Sequence, residues 1–221
     1  MATRPKIGRR RRQQILEAAV EVIAERGVCG ARIADVAKRA NTSAPLVLYY
    51  FETKDNLLTE ALAYAEDRFY LAIFAELTDI NTATERLVRL IECTCGHEST
   101  AELVREDVVL WIELWSRALR DEAAGRKRAA LDRRWRQTIA EIVREGQKTG
   151  EFSNIDVELF SMALASLLDG LVMQNVLEDP EAGYERARRI GVGVARRYLV
   201  FSLPPEEPEQ PVDVGSATQP D

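Results

Sequence analysis

The chain has 221 residues, with 30 Lys/Arg against 36 Asp/Glu and a formal net charge of −6. That length can bury a full core and leaves room for more than one domain. No apolar run approaches the ~20 residues of a membrane span, and the basic N-terminus lacks the apolar centre of a signal peptide, so a cytoplasmic protein is expected. Cys29, Cys93 and Cys95 are odd in number and form no CxxC, which argues for reduced thiols rather than a disulfide frame or zinc site.

The charge is divided unevenly. Residues 1–50 hold 10 Lys/Arg and 4 Asp/Glu, a net of +6, which leaves −12 for the remainder. A basic end on an acidic chain is a sequence-level sign of nucleic-acid binding.

In chain order, residues 1–8 read as a flexible basic arm. A first helix is expected from about Arg10 to Arg26, with Ile15, Ala18, Ala19, Val22 and Ile23 at helical spacing and Gly27 and Gly30 ending it. A second short helix, about Ile33 to Arg39, turns inward Ile33, Val36 and Ala37. After the turn Ala40-Asn41-Thr42, Ser43 is a natural cap for a third helix, with Pro45 in its first turn where no helical N–H is lost. Thr53 caps a fourth helix running to about Leu77. Two short helices joined by a tight turn are the layout of a helix-turn-helix, whose second helix enters a DNA major groove. The motif spans about 32–51 within a DNA-binding domain at 9–52.

Residues 53–203 continue in helices. Thr82 and Glu85 form a capping box for a fifth. A sixth is expected over about Leu103–Leu119 and a seventh over about Glu122–Lys148, stopped by Gly150. Asn154 is the expected cap of an eighth, about Ile155–Val176, and Asp179-Pro180 the expected start of a ninth ending near Phe201. Residues 204–221, rich in proline and acid, read as a disordered tail. The fold class is all-α, with about nine helices, no strand signal and no Gly-rich phosphate loop.

The segments ILEAAVEVIAERG, DVAKRA and YFETKDNLL, correctly spaced over about fifty residues, resemble the DNA-binding domain of TetR-family transcriptional regulators. WIELWSRALRDE, TGEF and LLDGLVMQ are similar, more weakly, to the C-terminal half of its BetI-type branch, whose best-known members answer to choline. The resemblance implies a homodimeric repressor with an all-α ligand-binding and dimerisation domain. It also implies a phosphate contact from Lys54. Arg32 stands where many members have threonine, so a phosphate contact there would carry a full charge. Leu48 stands where many have a phosphate-binding tyrosine, which leaves Tyr49 and Tyr50 as the candidates. Ser43, Ala44, Pro45 and Val47 lie on or at the recognition helix and offer little hydrogen bonding, so thymine methyl contacts and DNA shape would carry much of the reading.

Trp111 and Trp115 share a face of the sixth helix with Asp107. Either they form a cage for a cationic ligand, or Asp107 pairs with an arginine of the seventh helix and the tryptophans are core. Leu167, Gly170 and Leu171, with Ile190, Val194 and Tyr198, suit a four-helix dimer seam. Cys93 and Cys95 fall on differing faces, against a metal or redox role. His97, the only histidine, sits in a polar stretch, and no nucleophile–base pair, metal set or cofactor motif accompanies it. The expected function is therefore a non-enzymatic repressor that binds a near-palindromic operator as a homodimer and is released by a small-molecule inducer. It needs double-stranded DNA, the inducer and a second copy as partners, but no cofactor or membrane. An activator or architectural DNA-binding protein without a ligand is the alternative.

Overall fold

A computed structural model describes residues 4–96 and 101–200, with side chains described from residue 8 onward except over 101–107. Among these residues there are nine helices and no strand: α1 (Arg4–Gly30), α2 (Ile33–Arg39), α3 (Ala44–Phe51), α4 (Lys54–Leu77), α5 (Ala83–Cys95), α6 (Ala101–Ala118), α7 (Glu122–Thr149), α8 (Val157–Val176) and α9 (Tyr184–Leu199). The tail expected beyond residue 203 and His97 lie outside the described residues.

Most boundaries follow the capping chemistry. Ser43 Oγ accepts from Leu46 N at 3.4 Å and Thr53 Oγ1 from Asn56 N at 3.1 Å. Thr82 Oγ1 accepts from Glu85 N at 3.1 Å and donates to the Glu85 carboxylate at 2.8 Å. Such caps satisfy N–H groups that a helix leaves open. Three expectations are corrected. α1 is already helical at Arg4, so the stretch read as a flexible arm is helical from there. It breaks at Gly27 (φ 68, ψ 166), a conformation open essentially to glycine, before a last turn to Gly30. Asp156, not Asn154, caps α8, accepting from Leu159 N at 2.9 Å. Asp179 Oδ1 accepts from Glu181 N at 2.8 Å and holds a separate turn, so α9 begins only at Tyr184.

The core has two main parts. A head core joins α1, α2, α3 and the first half of α4 through Ile15, Ala19, Val22, Val36, Val47, Phe51, Leu58 and Leu62, and it takes in Leu110 and Leu114 of α6 and Ala124 and Leu131 of α7. A body core joins the end of α4 to α5, α7, α8 and α9 through Ile73, Leu77, Leu87, Leu90, Ile139, Leu164, Leu168 and Ala195. α4 threads both, and Tyr70 packs against both. By length and hydropathy α8 is apolar enough to cross a membrane, contrary to the expectation from the sequence. Its packing against α5, α6, α7 and α9 instead makes it a central helix of the body.

Candidate functional site

The head is built around α3. Val47 and Phe51, four residues apart, plug into the head core, with Val47 at 0% exposure. Val47 therefore cannot meet DNA, a correction that follows from helical geometry: the face that anchors α3 cannot also be its outer face. The outward positions are Pro45, Leu48 and Tyr49, with Ser43 at the entrance, and Tyr49 is 77% exposed. Ala44 is half-buried. Tyr50 is too, packing against the head core and meeting Tyr49 edge to face at 5.3 Å. Leu48 is thus the outer residue that sequence reasoning passed over, although the spacing of Val47 and Phe51 already pointed to it.

Cations lie on or at the head helices that flank α3 in sequence, some of them paired within the head. Lys54 is the first residue of α4, where unpaired backbone N–H groups and the helix dipole favour an anion. Arg32 occupies the cap position of α2, is exposed, and makes no capping bond. Arg39, by contrast, is held by Glu21 and Glu25 of α1 at 2.8 and 2.6 Å, which locks α2 to α1. Arg12 pairs with Glu60 and lies over the Phe51 ring at 4.9 Å, which locks α1 to α4. Between α3 and α4, Thr53 N donates to Phe51 O at 2.7 Å around Glu52 (φ 64, ψ −53), a tight three-residue turn that is strained for a side-chain-bearing residue.

In the body a cavity of about 50 Å³ lies where the two cores meet, lined by Ala65, Glu66, Phe69, Tyr70, Thr94, Val108, Trp111, Trp135, Asp169 and Val172. Its walls are mostly apolar, yet it holds two carboxylates. Glu66 Oε1 accepts from the Tyr70 hydroxyl at 2.9 Å and from Arg128 Nη1 at 3.2 Å, whereas Glu66 Oε2 is buried without a hydrogen-bond partner. Burial pushes the Glu66 carboxyl above its usual range, and it pushes Asp169 to about 6 against the pull of Arg128 and Arg136.

The aromatic pair is arranged differently from the expected cage. Trp111 lines the cavity, but Trp115 is 38% exposed outside it. The Arg128 guanidinium lies 4.2 Å from the Trp115 ring centre and 5.6 Å from that of Trp111, and it also pairs with Asp132. The cation over the tryptophans is thus the protein's own, supplied by α7. The side chain of Asp107 lies outside the described residues. Glu66 and Asp169 went unread as site residues. The signal was available: Asp169 interrupts the apolar run Leu167-Leu168-Asp169-Gly170-Leu171, and Glu66 stands at helical spacing from Leu62, Phe69, Tyr70 and Ile73 on an apolar stripe.

Along α8 and α9, Leu171 is only 6% exposed and belongs to the body core, which corrects its expected place on a seam. Gly170 is exposed with open space before it, Ile190 is exposed, Tyr198 is 61% exposed, and Leu167 and Val194 are half-buried. Leu159 and Met162 add exposed apolar surface to α8. Burial pushes the Cys95 thiol up to about 12, and among the described residues no group of His, Cys, Asp and Glu could hold a metal.

Residues 15–61 match the profile of bacterial regulatory proteins of the tetR family, and residues 83–199 that of the BetI-type transcriptional repressor C-terminal domain. The HTH-type transcriptional regulator BetI of Cronobacter sakazakii is 27% identical over 207 residues, covering 93% of this chain and 100% of that protein. A transcriptional regulator from Saccharomonospora viridis, solved in complex with choline, is 31% identical with a TM-score of 0.71, over 84% of this chain and 95% of that one. A TetR transcription regulator from Haloarcula marismortui gives 26% and 0.74, over 86% and 98%. Head, body and both profiles agree that the chain belongs to the TetR family of bacterial regulatory proteins and is a DNA-binding transcriptional repressor of BetI type.

Proposed function

We propose that the chain represses transcription as a cytoplasmic homodimer on a near-palindromic operator and is released when a small organic cation enters the cavity between the two cores. Lys54, Arg32 and Tyr49 would meet phosphates, and Ser43, Pro45 and Leu48 would face the bases, with the two heads in successive major grooves. The observation that carries the ligand reading is a pair of under-satisfied carboxylates: Glu66 and Asp169 line one cavity, buried Glu66 Oε2 has no hydrogen-bond partner, and Arg128, which pairs with Glu66, is shared with Asp132. A carboxylate short of partners inside a protein is costly, so a ligand supplying countercharge is bound more tightly than a neutral one. The choline bound by the Saccharomonospora relative supports the same class.

A ligand shifts an equilibrium only by binding one state better than the other. Here the connection to the head runs through α4 and α6, since Arg117 of α6 reaches Thr59 Oγ1 at 3.3 Å and Asp55 Oδ1 at 3.4 Å near the start of α4. The test is to select duplexes from a random pool and then titrate organic cations and their neutral isosteres into the protein–DNA complex. Release by cations alone is expected. Release by both equally, or by neither, overturns the cation reading.

A further inference from the structure

We propose that the inducer presents N–H donors, as a protonated primary or secondary amine or an amidinium-like group does, and is not a quaternary ammonium. This deepens the cation reading and rests on it. Two independent observations point the same way.

The first is a missing donor. The Glu66 side chain is 3% exposed, and its Oε2 has no partner, while Oε1 already has two. Asp169 of α8, which lines the same cavity, is engaged at a distance by Arg128 and Arg136, but among the described residues no hydrogen bond holds it. Carboxylate oxygens in a low-dielectric cavity require donors, and leaving one unsatisfied costs more than an ordinary hydrogen bond returns. A trimethylammonium head supplies charge but no N–H, so it would leave Glu66 Oε2 orphaned. An ammonium supplies up to three N–H donors in addition to charge.

The second is the state of the aromatic rings. A quaternary ammonium is recognised by free aromatic faces. Tyr70 and Trp135 are stacked on each other, with ring centres 5.2 Å apart and planes 13° apart, so each has one face covered. Trp111 meets Trp115 edge to face at 4.5 Å and has the Arg128 guanidinium near its ring. The rings that line this cavity already serve one another and an internal cation, whereas the carboxylates do not yet have their complement.

The test uses the intact protein and three matched series: linear alkylamines from propyl to octyl, their N,N,N-trimethyl derivatives, and alcohols of the same chain length, titrated by calorimetry near pH 7.5. The amines are expected to bind at least about ten-fold more tightly than their trimethyl counterparts, the worth of one hydrogen bond to a charged acceptor. Glu66→Gln should remove that advantage while Asp169→Asn weakens both cation series. If both cation series bind better than the alcohols but the trimethyl compounds equal or exceed the amines, the N–H requirement is overturned and the cation reading stands. If neither cation series exceeds the alcohols, both fall. The wild-type comparison decides the matter even if a variant fails to fold.

Discussion

At the scale of single residues, the head separates two kinds of contribution. A phosphate contact carries no base information, so Lys54→Ala is expected to weaken binding to all duplexes alike. The slope of log K against log salt should become shallower by about one for each phosphate no longer neutralised. An unchanged slope would place Lys54 off the DNA. Glu52 in its tight turn offers a different test. Strain of this kind costs about 1–3 kcal/mol, against which glycine loses about 0.5–1 in chain entropy. Glu52→Gly is therefore expected to raise Tm by about 2–4 °C, and a lower Tm would show the turn to be unstrained. Asp169 reports on the cavity. Its folded value of about 6 lies above the ordinary 3.8, with Glu66, Arg128 and Arg136 as the charged groups around it. The folded protein therefore holds a proton that the unfolded chain has released, and stability declines as pH rises from about 4 to 6. Asp169→Asn should be the more stable protein at pH 7, with the gain vanishing toward pH 4. Wild-type affinity for alkylamines should fall as pH drops through about 6, a dependence that should shrink in the Asn variant, which keeps only Glu66.

At the scale of helices, close approach and exposure decide which substitutions matter. Gly146 on α7 sits against Phe152: a Cβ added there would fall 2.1 Å from its ring. The overlap costs about 1–3 kcal/mol, more than the ~1 that alanine gains as a helix former. Gly146→Ala should thus lower stability in a denaturant titration, and Phe152→Leu in the same chain should recover part of the loss. Gly170 of α8 and Ile190 of α9 are both exposed in the protomer, so, with α8 and α9 taken as the dimer seam, Gly170→Arg and Ile190→Glu are expected to give a folded monomer by light scattering. A dimer in both variants would move the interface elsewhere, and Leu171→Glu should instead unfold the protomer. Helix existence was legible from spacing and caps because those signals are local: Ser43, Thr53 and Thr82 cap where their chemistry says they should. What failed was direction across space. Nothing local to Leu171 tells the body core from a partner, and nothing near Trp115 shows that Arg128, thirteen residues on and one helix away, will cover its ring. Glu66 and Asp169 are 103 positions apart, and only the packing of α4 and of α8 against the same helices α5, α6 and α7 brings them to one cavity.

At the scale of the whole molecule, the family resemblance was legible in the head because its motif is continuous, whereas the cavity is assembled from α4, α5, α6, α7 and α8. The two cores also decide how the protein can be taken apart. The head core is completed by Leu110 and Leu114 of α6 and by Ala124 and Leu131 of α7, far beyond the helix-turn-helix in sequence. Removing the body would strip the apolar wall from α1 and α4. A fragment ending at residue 52 would also lose Leu57, Leu58, Ala61 and Leu62. The boundary drawn from sequence marks a recognition unit and not an autonomous folding unit. Grafting this reading head onto another regulator's sensor would accordingly need the matching surfaces of α4, α6 and α7 to travel with it. A seam cut at the α3–α4 turn should yield chimeras that express as aggregates, while one that carries those surfaces keeps both partners soluble.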